Sequence, residues 1–479
     1  MIDTALLEAF GNLLGPKGVI TDRDSITPWL TDWRGRFHGQ SPAILAPATT
    51  AEVASVLRLA HERRIALVPQ GGNTSMVGGA TPPADGNALI LSLRRMNRIR
   101  SISTDANQAV CEAGVILSTL HDAAAAAGRR FPLSLAARGS ATIGGLVSTN
   151  AGGTQVLRHG TMRGLVEGIE AVLPDGSIFD GLAPLKKDNR GYDLRHLLIG
   201  AEGTLGVVTA ATLTLVPPIT GRATVWVGVG GPQDALALLR WLQRRFGSIV
   251  EGFEVMADDC VGHVLDHIPG TRLPIAAPAP WHTLIEIDLS ALDDGQAAVE
   301  AALAGMLAEG GIGIIDAAVA QNENQAEAFW RLRESISEAE RARGPTLQFD
   351  ISVPVDAMPD FMTAIAAEAT GRFPGTTASS FGHLGDGNVH FHVRAPAGTA
   401  DGSGWIAANG EEIARFVNDR LVARGGSISA EHGIGQMKRA ELGRLSSPAR
   451  LAALRAIKTA FDPDGIMNPG KLIPLASEG

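Results

Sequence analysis

Four of the twelve histidines fall between positions 383 and 432: His383, His390, His392 and His432. Imidazole titrates near neutrality and is the commonest metal-binding side chain, so such a cluster points to proton transfer or to a bound cation. In Val389-His390-Phe391-His392-Val393 imidazole and apolar side chains alternate with period two. A strand here puts His390 and His392 on one face and the valines with Phe391 on the other. His383 precedes them across Gly385-Asp386-Gly387, whose glycines permit the tight return that brings it to the same wall. Downstream, Glu431 and His432 stand side by side in the glycine-flanked stretch Ala430-Glu431-His432-Gly433-Ile434-Gly435. Two histidines and a glutamate make a three-ligand set with open positions, the pattern of a catalytic divalent cation rather than a closed structural site. A plainer reading, strand-face histidines held by hydrogen bonds, covers the H-x-H pair but leaves His383 and Glu431-His432 without a reason.

Glycine occupies 57 of 479 positions, well above the ~7% of average usage, and much of it sits in three loops beside strands. The first follows the apolar run Ile65-Ala66-Leu67-Val68-Pro69 and reads Gln70-Gly71-Gly72-Asn73-Thr74-Ser75-Met76-Val77-Gly78-Gly79. Such a loop turns successive backbone N–H groups toward one point and makes an anion nest suited to a pyrophosphate. The second runs from Gly139-Ser140 through Gly144-Gly145 and Asn150 to Gly152-Gly153. The third is Gly200-Ala201-Glu202-Gly203-Thr204-Leu205-Gly206-Val207. Three such loops predict a large flat ligand approached by backbone at several places, a dinucleotide laid lengthwise rather than the single G-x-G-x-x-G turn of a Rossmann unit. Gly465 to Lys471 has the spacing of a phosphate-binding P-loop, but Leu472 stands where a metal-binding hydroxyl belongs and Pro469 removes an N–H.

The elements that must hold these residues are readable in outline. Thr49 and Glu52 form a capping box opening a helix through Arg63, with Val53, Val56, Leu57 and Ala60 as its apolar stripe. The texture changes at Pro217-Pro218. Beyond it, 223–229 and 284–289 read as strands and 233–246, 296–309 and 325–341 as helices, an α+β module whose helices cover one face of an antiparallel sheet. His263 and His267, an i,i+4 pair, read as a helix face beside a turn rather than a metal site. Helices are also expected over 408–423 and 448–461. The boundaries predicted are 1–218, 219–407 and 408–479, in keeping with the two or three domains that 479 residues hold at roughly 100–200 residues each.

Composition removes several classes of function. A net charge of −9 argues against nucleic acid as a partner. Two cysteines far apart, Cys111 and Cys260, give neither a disulfide framework nor a thiolate site. The first residues lack the basic start and apolar core of a signal peptide, and no apolar run approaches the ~20 residues of a transmembrane helix, so a cytoplasmic location is expected.

Taken together, PQGGNTSMVGG, IGGLVSTNAGG, KKDNRGYDL, GAEGTLGVVT, GHLGDGNVH, EHGIG and the closing NPGK resemble the vanillyl-alcohol-oxidase-type FAD flavoproteins, and within them the D-2-hydroxyacid dehydrogenase group. The resemblance runs over roughly residues 40 to 474. It implies an α+β fold with an N-terminal FAD-binding domain, a substrate (cap) domain carrying the metal-site strand, and a helical C-terminal segment completing the active site. It further implies FAD held by Pro69, Gly71, Gly72, Asn73, Thr74, Ser75, Gly139, Ser140, Gly144, Gly145, Asn150, Gly152, Gly153, Glu202, Gly203, Val207 and Asn468. His383, His390 and Glu431 would hold a divalent metal, usually zinc, with His432 as general base and Arg333 on the substrate carboxylate. Asn73 stands where covalently flavinylated branches carry histidine, which implies dissociable FAD.

The expected reaction is oxidation of a D-2-hydroxy acid, first of all D-2-hydroxyglutarate, to the 2-oxo acid. An electron-transferring flavoprotein or a quinone would be the acceptor, and a homodimer is compatible with the sequence. Among the expected substrate contacts, Gln348, Ser337 and His392 replace the group's lysine, threonine and asparagine. D-lactate or glycolate therefore stands as the competing substrate. The glycine loops alone would also suit a non-catalytic FAD subunit of a larger redox complex, and the FAD half would suit a relative of the alkyl-glycerone-phosphate synthases.

Overall fold

The structure, a computed structural model, describes residues 2–474. The chain divides into two compact units. The first comprises the residues up to Gly153, His159–Pro218 and the residues from Glu431 onward; the second comprises Thr154–Arg158 and Ile219–Ala430. The C-terminal stretch expected as one segment from 408 is thus shared. Its first helix, Gly402–Ala423, belongs to the second unit and Pro448–Phe461 to the first.

The first unit holds two sheets. In the smaller, Val19–Ile20, Ile44–Leu45, Ala88–Ser92 and Ala66–Gln70 lie in that order, the last three mutually parallel. A parallel pair needs a crossover, and the helix Thr50–Arg63 supplies it. Thr49 accepts from the Glu52 N–H, while the Glu52 carboxylate takes the N–H of Ala48 at 2.7 Å, one residue earlier than the simplest capping box. The expected stripe of Val53, Val56, Leu57 and Ala60 is buried, and Arg64 ends the helix in the left-handed region. The larger sheet is five-stranded and antiparallel, its central strand Val207–Thr214. The second glycine-rich stretch is not all loop: Ile143–Thr149 forms a helix. Apolar Ile143, Leu146 and Val147 bury one side of it, and Gly144 lets its backbone lie against Ala113, where a Cβ would stand 2.6 Å from another.

The second unit is built on a seven-stranded antiparallel sheet ordered Ile314–Val319, Arg222–Val229, Trp281–Asp288, Val250–Ala257, Thr377–His383, Asn388–Arg394 and Thr346–Ser352. Helices cover both faces, not one. Phe329, Leu332, Ile336 and Ala339 pack on the side of Trp226, Leu284 and Phe381, while Phe361 meets Phe391 on the other side. The central strands are buried almost throughout, so each face needs a cover. The helix expected over 325–341 is two, Glu323–Glu334 and Ile336–Ala342, parted at Ser335.

Candidate functional site

In the second unit the sheet register arranges polar side chains in rows on one face. Glu254, His383, Asn388 and Ser352 are successive cross-strand partners; so are Met256, Phe381, His390 and Asp350; and Ser379, His392 and Gln348 form the next row. Paired residues in a sheet share a face, so His383, His390 and His392 do lie on one wall. The rings of His383 and His390 meet edge to face at 5.5 Å. Both His390 and His392 touch the Phe381 ring, and Phe391 turns the opposite way toward Phe349 and Phe361. The return between the strands closes with the Gly387 N–H on the His383 carbonyl at 3.1 Å, and Gly387 has φ +80°, as a tight turn requires.

Arg333 reaches this wall from the end of its helix. That helix is capped by Asn322 and carries Arg331 and Arg333 in the last turn, where positive charge suits the dipole. The buried guanidinium lies 4.8 Å over Phe381, and Nε donates to Glu254 Oε2 at 2.7 Å. The other oxygen of Glu254 meets His383 Nδ1 at 2.5 Å. Burial would raise the Glu254 pKa, but Arg333 and His383 outweigh it and hold the carboxyl at about 2. Glu254 escaped sequence reasoning because nothing in its local pattern marks it; only the pairing of distant strands does.

A second buried carboxylate, Glu340, accepts from His263 Nδ1 at 2.6 Å and meets His392 Nδ1 at 3.3 Å and an Arg394 nitrogen. These partners keep it well below the usual carboxylate range despite the opposing effect of burial. His263 is thus a satisfied helix-face histidine, as its spacing with His267 suggested, and His392 is tied at one ring nitrogen. Gln348 is half-buried opposite His392, whereas Ser337 is exposed on the helix after Arg333.

In the first unit the three glycine-rich loops converge. A Cβ on Gly72 would fall 1.8 Å from the Ser140 carbonyl oxygen, one on Gly71 2.2 Å from Thr142 Oγ1, and one on Gly203 3.1 Å from Pro69 Cγ. Asn73, Asn150, Glu202 and Asn468 all adopt left-handed backbone there. The N–H groups of Gly72, Asn73, Thr74 and Ser75 have no protein acceptor among the described residues, and Thr142 Oγ1 is buried without a partner. Such a cradle of spare donors suits a pyrophosphate, and the residues present fit the cofactor. Gly139 and Ser140 are exposed, Gly145 is half-buried, and Gly144, Gly152, Gly153 and Val207 are buried. Asn468 acts as a clasp, donating to the carbonyls of Gly79 at 3.0 Å and Glu202 at 2.7 Å. Glu431 and His432 also belong to this unit and are half-buried. The turn after them is held by Glu202, whose carboxylate accepts from the N–H groups of Ile434 at 2.7 Å and Gly435 at 2.8 Å.

Two family descriptions match the chain: "FAD linked oxidases, C-terminal domain" over residues 220–472 and "FAD binding domain" over 41–181. The chain belongs to the FAD-linked oxidase family, in the branch that holds the D-2-hydroxyglutarate dehydrogenases. It is 37% identical over 475 residues to the mitochondrial D-2-hydroxyglutarate dehydrogenase of Arabidopsis thaliana, covering 99% of this chain and 82% of the relative. With the D-2-hydroxyglutarate dehydrogenase of Xanthomonas citri pv. viticola the identity is 36% over 442 residues, 92% of this chain and 91% of the relative. Among solved structures, p-cresol methylhydroxylase with bound substrate superposes with a TM-score of 0.73 at 15% identity, covering 98% of this chain and 96% of that one. An alkyldihydroxyacetonephosphate synthase gives 0.74, also at 15% identity, covering 98% and 86%. The fold is that of the vanillyl-alcohol-oxidase-type flavoproteins, and the protein is an FAD-dependent dehydrogenase.

Proposed function

We propose that the protein oxidises a D-2-hydroxy acid, D-2-hydroxyglutarate first among them, to the 2-oxo acid. The observation that carries this reading is the polar wall of the second unit, where His383 and His390 stand together beside a buried arginine. The relatives named for D-2-hydroxyglutarate support the choice of acid.

FAD, when bound, supplies the two-electron acceptor for the hydride of the substrate carbon. The loops at Gly71–Ser75, Gly139–Gly153 and Glu202–Val207 would hold it without a covalent bond, since Asn73 offers no nucleophile and its amide donates to the Thr31 carbonyl at 2.9 Å. His383, His390 and Glu431 would ligate a divalent cation, zinc by ligand type, and a cation there would act as a Lewis acid on the hydroxyl and carboxylate oxygens of a 2-hydroxy acid. Glu431 follows directly on Ala430, and the segment before it is tied to the sheet by mutual hydrogen bonds of Ser427 and Ser352. His432 takes the hydroxyl proton, a task suited to an imidazole near neutrality. Arg333 meets a carboxylate in forked geometry, with Gln348, Ser337 and His392 as further substrate contacts.

The neutral Gln348 opposite His392 favours a second reading, a monocarboxylate such as D-lactate or glycolate, because it offers a second carboxylate no charge. Electrons would leave to an electron-transferring flavoprotein or a quinone, from a cytoplasmic protein that pairs as a homodimer.

The test is anaerobic reduction of the bound FAD by D- and L-2-hydroxy acids, with and without a chelator. Bleaching by D acids alone, abolished by the chelator, is the expected result. Full turnover by metal-free His383→Ala or Glu431→Ala protein removes the metal from the mechanism, and reduction by a phosphate ester in preference to any hydroxy acid removes the substrate class.

A further inference from the structure

Glu254 divides its two carboxylate oxygens between groups with separate tasks. Oε1 meets His383 Nδ1 at 2.5 Å and Oε2 accepts from Arg333 Nε at 2.7 Å, and all three side chains are buried. The contact with His383 is built into the sheet, because the register sets the two residues directly opposite each other. Arg333 comes from a helix and is braced a second time by the Phe381 ring beneath it. Burying an anion is expensive unless it is paired and hydrogen-bonded. Here it is paired twice, and each pairing has a consequence. With Nδ1 donating to a carboxylate, Nε2 is the ring nitrogen whose lone pair can bind a cation, and its basicity is raised. With Nε held, the guanidinium plane is set and its two terminal nitrogens form the fork that meets a carboxylate.

We propose that Glu254 is a positioning residue for the reaction: one carboxylate selects the His383 tautomer that presents Nε2 to a divalent cation and fixes the plane in which Arg333 meets the acid substrate. The inference rests on the reading of His383 as a ligand and Arg333 as the clamp. It adds that metal affinity and substrate affinity answer to the same side chain, although that side chain touches neither ligand.

The experiment compares wild-type and Glu254→Gln holoprotein in zinc-buffered solution, reading zinc content by elemental analysis, FAD content by absorbance, and KM and kcat for D-2-hydroxyglutarate. In the variant the zinc dissociation constant is expected to rise by about 10- to 100-fold, the range seen when such outer partners are lost, and KM to rise at least about tenfold, with FAD content unchanged. Glu254→Asp keeps the charge on a shorter stem and is expected to recover one of the two effects but not both. It also serves as the test should the glutamine variant not fold. A variant that melts at a lower temperature yet keeps wild-type zinc affinity and KM reduces Glu254 to a structural ion pair and overturns the inference. Wild-type protein that takes up no zinc overturns the ligand assignment and this inference with it, whereas wild-type protein that binds zinc no better than a folded Glu254→Gln variant overturns this inference alone.

Discussion

The carboxylate of Glu202 sits inside the turn that follows His432, taking the Gly435 N–H at 2.8 Å and the Ile434 N–H at 2.7 Å. Gly433, at φ +81°, passes so close that a Cβ there would stand 2.8 Å from Glu202 Oε1. Gly433 is therefore explained by a carboxylate more than 200 positions earlier, around which the backbone wraps, whereas Gly435, at φ +52°, is required by Val77, whose carbonyl oxygen a Cβ would meet at 2.3 Å. Replacing Glu202 by glutamine sets an amide NH2 against a backbone N–H. The expected loss is ~1–3 kcal/mol of stability, the cost of an unsatisfied buried donor, together with a fall in kcat as His432 loses its support. Denaturant unfolding and stopped-flow flavin reduction read the two effects. The pH dependence has a definite sign. Burial raises the Glu202 pKa above its ordinary value of 4.5, so the folded state holds its proton more tightly than the unfolded chain. Its contribution favours folding at low pH and declines as pH rises through that range, a decline expected to be absent in Glu202→Gln.

Gly72→Ala tests the cradle of the first loop. The added methyl has no room at 1.8 Å from the Ser140 carbonyl oxygen, and that obstacle is backbone rather than a side chain that can swing away. The two loops must separate, and with them the donors of Gly72 to Ser75. Purified Gly72→Ala protein is expected to carry little or no FAD, measured as the ratio of flavin to protein absorbance, while its far-ultraviolet circular dichroism stays that of a folded chain.

Lys458 tests how the closing Asn468-Pro469-Gly470-Lys471 stretch is held. Its ammonium donates to the carbonyls of Thr204 at 2.8 Å and Met467 at 2.9 Å and to Asp462 Oδ2 at 2.5 Å. Asp462 in turn accepts from the N–H groups of Ile466 and Met467. Lys458→Met strands a buried carboxylate, and breaking such a pair typically costs ~3–5 kcal/mol. A loss of that size in urea unfolding is expected. FAD should dissociate more readily as well, because Asn468 no longer clasps the first and third loops in register.

What the sequence disclosed and what it hid follow one physical division. The shared face of His383, His390 and His392 was legible because a strand alternates with period two and a glycine turn fixes the return. The helix at Thr50–Arg63 was legible from its cap and stripe, and the glycine loops from composition alone. Hidden were the partners brought by tertiary pairing: Glu254 stands 129 positions from His383, and Glu340 stands 52 from His392. The helix at Ile143–Thr149 was hidden for a different reason. Its paired glycines read as loop, yet here they admit close packing against Ala113. The break at Ser335 and the cover on both faces of the large sheet are likewise decided by what packs nearby rather than by local propensity.

Glu254 has an ordinary carboxyl pKa of 4.5 in the unfolded chain and about 2 in the fold. A depressed folded pKa means that the unfolded state binds the proton more readily, so this group stabilises the native protein fully above the unfolded value. That contribution drains away as pH falls from 4.5 toward about 2. Glu254→Gln has no such proton to take up. The difference in unfolding free energy between wild type and variant is therefore expected to be largest near neutrality and to shrink steadily below pH 4.5. Urea titrations at a series of pH values check this. A difference that stays constant as the pH is lowered from 4.5 toward about 2 would mean that the pair with Arg333 and His383 contributes by shape and packing rather than by charge.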